Sequence, residues 1–162
     1  MQRIAFIVMI VALTGCNTAQ TRDVNSPYYK VPPGSSIVLN RDLAIPAGVA
    51  HIDLQDGTPS TSVGNYNVSC TFKVRNLGPS TIKADTFKIR ETSIGQEWVS
   101  RPDTMRFYRE FRLTSATQPD VMKFVCHDWD GPLTGKPVSV PEMGKVGGYV
   151  SFRFAQQPRH GS

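Results

Sequence analysis

The sequence has few of the residues that carry most enzyme chemistry. It contains three histidines and three cysteines among 162 residues. It has no Cys-x-x-Cys pair, no Gly-x-Ser-x-Gly motif, and no His/Cys group with metal-ligand spacing. Its acidic residues do not follow the pattern of a calcium-binding loop. The sequence therefore predicts a protein that is not an enzyme and that holds no metal and no cofactor.

The sequence also lacks an apolar run long enough to cross a bilayer. The run Ile4–Leu13 has ten residues, about 15 Å as a helix, which is half of a ~30 Å hydrocarbon core. Arg3 precedes this run, and the small residues Thr14 and Gly15 follow it. A basic residue, an apolar stretch and small residues are the three parts of a secretory signal. Residues 1–15 are therefore predicted to be a signal peptide rather than a buried helix, because the run is apolar on every face.

The four residues Leu13-Thr14-Gly15-Cys16 resemble the lipobox of bacterial lipoproteins. The resemblance implies that Cys16 receives a diacylglyceryl group, that the signal is removed, and that the new amino terminus is acylated. Two or more acyl chains give the stable membrane attachment that one chain does not. Asn17 follows the cysteine, whereas an Asp at this place commonly retains lipoproteins of enteric-type bacteria in the inner membrane. The expected location is therefore the outer membrane, with the protein facing the periplasm and partnered by the membrane through Cys16.

With Cys16 assigned to lipid, an even pair of cysteines remains. Cys70 and Cys126 both fall among the inward-facing positions of predicted strands, and the oxidising periplasm favours a disulfide between them. Closing a loop of about 57 residues contributes roughly 4 kcal/mol in the chain-entropy model. The alternative is a pair of buried free thiols.

The charge of the chain is mildly basic and scattered. Only Arg3 of the 18 basic residues precedes Cys16. From Cys16 onward the chain therefore has 17 basic and 13 acidic residues, a net charge of +4. These charges are interpreted first as an ordinary solvated surface. The alternative, functional interpretation is a preference for anionic lipopolysaccharide or peptidoglycan. Nucleic acid is not an expected partner of an envelope protein.

The remaining sequence predicts one small domain on a tether. Residues 16–35 are polar and rich in proline, which is typical of a lipidated amino terminus followed by a flexible tether, although Tyr28 and Tyr29 could dock on the domain or the membrane. Residues 36–155 are predicted to form a single β-domain, and residues 156–162 a disordered tail.

Short runs with period-two alternation recur through the domain. The clearest, "NVSCTFKVRN", places Val68, Cys70, Phe72 and Val74 on one face. "MRFYREFRLTS" and "PDVMKFVCHDW" are predicted to pair as a β-hairpin, with Val121 facing away from Phe124 and Cys126. "SVPEMGKV" predicts a short helix with a capping box. The fold class is therefore all-β: an antiparallel sandwich or small barrel with one short helix near the C-terminus.

Two features of this domain invite a functional interpretation. Arg109 is a charged residue at an inward-facing position of an apolar face. It needs a carboxylate or carbonyl partner, for which Glu97 or Glu110 could serve. "CHDWDG" places His127, Asp128 and Asp130 together. That group fits a polar turn after a strand better than a hydrolase site, which would need a deep pocket lined by His127 and Asp128.

The chain resembles small uncharacterised lipoproteins of gammaproteobacteria in "PPGSSIVLNRDLAIPAG", "VAHIDLQDG", "NVSCTFKVR", "VMKFVC" and "SVPEMGKVGGYVSF". The resemblance implies the fold and location and brings no catalytic residues. The expected function is a non-catalytic, lipid-anchored envelope protein acting as a tethered interaction or structural module with an envelope-protein or cell-wall partner. The alternatives are a module that inhibits a cell-wall-degrading enzyme, which a basic body disfavours when the enzyme is itself basic, and an envelope hydrolase.

Overall fold

The structure, a computed structural model, describes residues 21–60, 62–146 and 148–156. The predicted signal peptide, the lipidation site Cys16, the sorting residue Asn17 and nearly all of the predicted tail lie outside the described residues. The described part of the chain forms ten strands and one helix. They are β1 Ser36–Leu39, β2 Leu43–Ile45, β3 His51–Gln55, β4 Thr58–Ser60, β5 Ser69–Val74, β6 Ser80–Ile82, β7 Asp85–Ser100, β8 Thr104–Thr114, β9 Val121–Asp130, α1 Val140–Val146 and β10 Val150–Arg153.

Eight of these strands form one antiparallel sheet in the order β10-β1-β7-β8-β9-β5-β3-β4. The sheet curls into a half-barrel, and β2 pairs with β6 in a separate two-stranded ribbon. The expected antiparallel all-β fold with one short helix near the C-terminus is therefore confirmed. The predicted hairpin of β8 and β9 is also present, with Phe111 opposite Phe124.

Alternation in the central strands, most regular in β8, gives the sheet one apolar face, which we call the inner face. Four phenylalanines of this face are fully buried: Phe72, Phe87, Phe111 and Phe124. The helix α1 covers part of the same face with Val140, Met143 and Val146. Because successive side chains of a strand point to opposite sides, the other face, here the outer face, carries the polar side chains.

Helix α1 begins at the predicted capping box. The backbone N–H and the hydroxyl of Ser139 both donate to Glu142 Oε2, at 2.7 and 2.6 Å. The hydrogen bonds lower the pKa of the Glu142 carboxyl against the opposing effect of burial, which is the largest single influence on it. A carboxylate in the first turn also complements the positive end of the helix. The cap fixes the place where the chain turns back to form β10.

Two details of the sheet differ from the expectation. The prediction that Val121 faces away from Phe124 is wrong, because the register of β5 and β9 shifts between Lys73 and Val74 and sets Val121 opposite Val74. Val121 is consequently buried. The sequence also predicts a shorter β7, confined to "TFKIRET" (Thr86–Thr92), whereas the strand continues to Ser100 because residues 93–100 pair with β8.

The described part of the predicted tether, residues 21–35, lies against the domain. Tyr29 and Val31 are 7% and 3% exposed and belong to the core, and Val24 packs against it. Ser35 continues the pairing of β1 beyond its first residue, because its carbonyl accepts from the N–H of Ile89 at 2.8 Å. We call residues 24–31 the strap. The domain thus begins before residue 36, and of the two tyrosines it is Tyr29 that docks while Tyr28 stays exposed.

Candidate functional site

The "CHDWDG" segment does not assemble a catalytic group. His127 and Asp128 are consecutive residues of β9, so their side chains point to opposite faces of the sheet. Asp128 pairs in register with the inner-face residue Phe107, whereas His127 pairs with Tyr108. A hydrolase pocket lined by both side chains is therefore absent from this arrangement. Within the described residues, no group of three or more His, Cys, Asp or Glu side chains could hold a metal ion.

His127 has a hydrogen-bonding neighbour that cannot act as a nucleophile. Its Nδ1 lies 3.3 Å from the hydroxyl of Ser69, and Ser69 is fully buried. Burial, followed by the positive charge of Arg106, lowers the pKa of His127 to about 4. The imidazole is therefore neutral at pH 7 and tied to the sheet beside a hydroxyl that no substrate can reach.

Asp128 is held in an unfavourable setting for a carboxylate. Its Oδ1 is buried without a hydrogen-bond partner among the described residues. Burial raises the pKa of Asp128 to about 6, with further contributions from Asp130 and Glu142. A raised pKa can mark a catalytic acid, but such an acid needs a substrate within reach, and Asp128 lines neither the concavity at Arg112 nor the small one at His51.

The two cysteines left after Cys16 form the predicted disulfide. Cys70 on β5 and Cys126 on β9 lie directly opposite each other, and their sulfurs are bonded. Both residues are fully buried on the inner face. The expectation of a Cys70–Cys126 disulfide is confirmed, and the bond joins two neighbouring strands at the centre of the sheet.

Arg109 faces inward, as its position in the alternation predicts, and is completely buried. Its two terminal nitrogens donate to the carbonyl oxygens of Tyr29 at 2.7 Å and Pro27 at 2.6 Å. Glu97 and Glu110, the partners suggested by the sequence, instead pair with Arg106 and Lys123. Burial lowers the pKa of Arg109 to about 10, so the guanidinium remains charged at neutral pH.

The carbonyl partners make Arg109 a clamp on the strap. A buried guanidinium needs acceptors for its N–H groups, and the strap supplies two of them from its backbone. The partners are 80 and 82 positions away in sequence. Arg109 therefore fixes the amino-terminal segment against the inner face and serves structure rather than ligand capture.

A concavity lies at the end of the sheet where the β8–β9 turn connects its two strands. It encloses about 640 Å³ between the ends of β5, β7, β8 and β9. Its charged lining consists of Arg75, Arg90, Glu91, Arg112 and Lys123. We call it the basic groove. Its apolar lining includes Leu113, Pro119, Val121 and Met122.

The charges of the basic groove are only partly neutralised. Arg112 Nε lies 3.4 Å from Glu91 Oε2, and Lys123 Nζ lies 2.8 Å from Glu110 Oε1. Arg75 and Arg90 form no ion pair with any described residue. Both of these arginines are exposed. Two guanidiniums therefore remain available to an anion at this site.

One wall of the groove is held in place by a buttressed turn. Asp85 Oδ2 accepts hydrogen bonds from Ser115 Oγ, Thr117 Oγ1 and Gln118 Nε2 at 2.6, 2.7 and 3.1 Å. The hydroxyl hydrogen bonds, from Ser115 first, lower the pKa of Asp85 to about 2. Pro119 follows this turn directly and lines the groove. The turn that leads into this wall is thus fixed by hydrogen bonds within the domain.

The sequence reasoning missed the basic groove, although a signal for it was present. Arg75 in "NVSCTFKVRN" and Arg112 in "MRFYREFRLTS" fall on the polar side of the alternation, and Arg90 follows the buried Ile89, so their outward direction could be read from the sequence. Their convergence could not, because it depends on β7, β8, β9 and β5 being neighbours in that order.

No protein-family model, no curated protein and no solved structure matches the chain. None of the helices in residues 21–60, 62–146 and 148–156 has the length and apolar character needed to cross a membrane.

Proposed function

We propose that this chain is a lipid-anchored, non-catalytic module of the bacterial cell envelope that acts by binding. In this proposal Cys16 carries the lipid, Asn17 directs the protein to the outer membrane, and the β-domain faces the periplasm. The observation that carries the proposal is the clamp of Arg109 on the strap, because it joins the amino-terminal segment firmly to the body of the domain.

The clamp makes the anchor a short one. About 11 residues separate Cys16 from Pro27, and a fully extended chain of that length reaches at most ~40 Å. A flexible tether that extended to residue 35 would be longer than this segment and would not be held against the domain. A domain tied this closely would be held near the bilayer surface, which suits a protein that meets its partner at the membrane.

A binding role is favoured over a catalytic one by the placement of the titratable residues. His127 and Asp128 point to opposite faces of the sheet, and the hydroxyl beside His127 belongs to a buried serine. The charged lining of the basic groove is mostly arginine and lysine, and its one carboxylate, Glu91, is paired with Arg112. Such a lining favours an anionic partner and disfavours inhibition of a basic cell-wall-degrading enzyme.

The anchoring is tested by metabolic labelling of the full-length chain with an alkyne-bearing palmitate in a Gram-negative host. We expect label in the wild-type protein and none in Cys16→Ser. Fractionation of the two membranes tests the sorting: Asn17→Asp moves the protein to the inner membrane, whereas the matched control Asn17→Gln leaves it in the outer one. An unlabelled wild-type protein, or an equally labelled Cys16→Ser variant, would overturn the proposal.

A further inference from the structure

The outer face carries an arrangement of like charges that the fold does not require. Lys73, Lys123 and Arg112 lie directly opposite one another on β5, β9 and β8. Like charges in register on neighbouring strands are destabilising. Glu91 and Glu110 offset two of these cations, but no described acidic side chain pairs with Lys73. Positive charge has accumulated beside the basic groove at some cost to the stability of the sheet.

The groove next to this row adds two further cations without partners. Arg75 and Arg90 come from β5's end and from β7, so chain segments distant in sequence bring them to one concavity. Arginine presents a planar fork of donors that matches the oxygens of phosphate and carboxylate groups. Two free guanidiniums suit a group that carries about two negative charges, as a phosphate monoester does near neutral pH.

The size and lining of the groove indicate more than a bare ion. Its volume of about 640 Å³ falls within the range of small-molecule sites. Pro119 and Met122 contribute apolar surface alongside the cations, which can contact the C–H faces of a sugar ring. The buttressed turn at Asp85 keeps this surface in place. The groove therefore combines the volume of a small-molecule site with cations and apolar surface.

We propose that the basic groove binds phosphate esters carried on a saccharide or on a lipid headgroup, with Arg75 and Arg90 as the direct ligands of phosphate. Arg112 and Lys123 contribute further positive charge at the rim of the site. The inference specifies the ligand of the binding module proposed above, and it concerns the folded domain alone. It can therefore be tested without the lipid anchor.

The experiment uses the full-length chain with Cys16→Ser, purified in a non-ionic detergent. Titration calorimetry measures binding of a glucosamine disaccharide that carries a phosphate at each end, and of the same disaccharide without phosphate. We expect binding of the phosphorylated probe only, weakened at least tenfold in the double variant Arg75→Gln/Arg90→Gln. The matched control Lys145→Gln/Arg153→Gln removes two exposed cations elsewhere and retains wild-type affinity.

A second arm separates the two sources of phosphate. Co-sedimentation compares vesicles of phosphatidylcholine with vesicles that also contain phosphatidic acid, whose headgroup is a phosphate monoester. Arginine-dependent binding to the anionic vesicles without binding to the disaccharide assigns the site to a lipid headgroup, and the reverse assigns it to a saccharide. Binding to neither probe overturns the inference, and so does an equal loss in the two double variants. Because the palmitate labelling is independent of these residues, a failure here leaves the anchoring proposal standing, and the converse also holds.

Discussion

Two arginines three positions apart on β8 show how burial decides what a charged side chain does. Arg109 is fully buried on the inner face, and its guanidinium donates to two carbonyl oxygens of the strap. Arg112 projects from the outer face with a side chain that is 61% exposed, and its Nε lies 3.4 Å from a glutamate. A charge removed from water must be supplied with partners, whereas a solvated one need not be. The inner arginine is consequently part of the structure, and the outer one remains in contact with solvent beside its glutamate partner.

The same contrast extends along both rows of cross-strand neighbours. On the inner face Arg109 lies opposite Cys126, which is bonded to Cys70, so the clamp and the disulfide occupy one row of the sheet. The outer row of Lys73, Lys123 and Arg112 has no covalent bond and only partly neutralised charge. We therefore expect substitutions on the inner row to change stability strongly, and those on the outer row to change it little.

The largest effect is expected from removing the disulfide. Cys70→Ala together with Cys126→Ala frees the loop between two central strands, and the chain-entropy model gives a loss of about 4 kcal/mol in the free energy of unfolding. Urea denaturation followed by circular dichroism measures the loss. Cys16→Ser serves as the control, because it removes a cysteine outside the pair, and it should leave the urea midpoint unchanged. A loss below about 1 kcal/mol would contradict the assigned role of the bond.

Arg109→Met is expected to have the next largest effect. It removes two charge-assisted hydrogen bonds and leaves the carbonyls of Pro27 and Tyr29 without their donor, a loss of about 3 kcal/mol. Arg112→Met, the same change on the outer face of the same strand, should stay within about 0.5 kcal/mol of wild type.

Hydrogen exchange distinguishes release of the strap from general unfolding. In Arg109→Met the amides of the strap should exchange faster than those of β5 and β9, because the clamp acts locally on residues 24–31. If the strap keeps wild-type protection, or if Arg112→Met destabilises the protein as much, the assignment of Arg109 as the clamp fails.

The sequence is informative wherever a single strand contains the whole signal. The alternation of β5 was enough to place Cys70 and Phe72 on the buried face, and the spacing of Ser139 and Glu142 was enough to locate the start of α1. The inward direction of Arg109 could be read in the same way. These features depend on the period of a strand or the first turn of a helix, which are local properties of the chain.

Features that depend on the lateral order of strands could not be read from the sequence. Arg109 donates to backbone carbonyls 80 and 82 positions away. Because every residue has a backbone carbonyl, no residue type in the sequence marks these acceptors. The basic groove needs four neighbouring strands to bring Arg75 and Arg90 to the lining of one concavity. Val121 was misplaced for a related reason, since a shift in register leaves no mark on the alternation of either strand.

The consecutive residues His127 and Asp128 should show opposite pH dependence. The pKa of His127 is lowered to about 4 by burial, so its contribution to stability is present above about pH 6.5 and is lost as the pH falls towards 4. The pKa of Asp128 is raised to about 6 by burial, so its contribution is present below about pH 4 and is lost as the pH rises through 6. The two effects oppose each other in the wild-type protein between pH 4 and 6.

Single variants reveal each effect. His127→Gln should leave the free energy of unfolding falling as the pH rises from 4 to 7, and Asp128→Asn should leave it rising over the same range. Because both side chains are only partly buried, we expect differences of about 1 kcal/mol. Thermal denaturation at half-unit pH steps measures them, and parallel curves for the two variants would exclude the assignment.

The smallest effect concerns the outer row. Lys73 lies opposite Lys123 on the neighbouring strand, so Lys73→Gln removes a repulsion and should raise the free energy of unfolding by about 0.2–0.5 kcal/mol at low salt. Screening weakens interactions between exposed charges, so this gain should disappear in 0.5 M sodium chloride. Lys145→Gln, which removes an exposed cation from α1, is the control and should show no such gain. A stabilised variant would mean that the outer row retains positive charge against the stability of the sheet, as a site for an anion does, whereas a destabilised one would make the row an ordinary part of the fold.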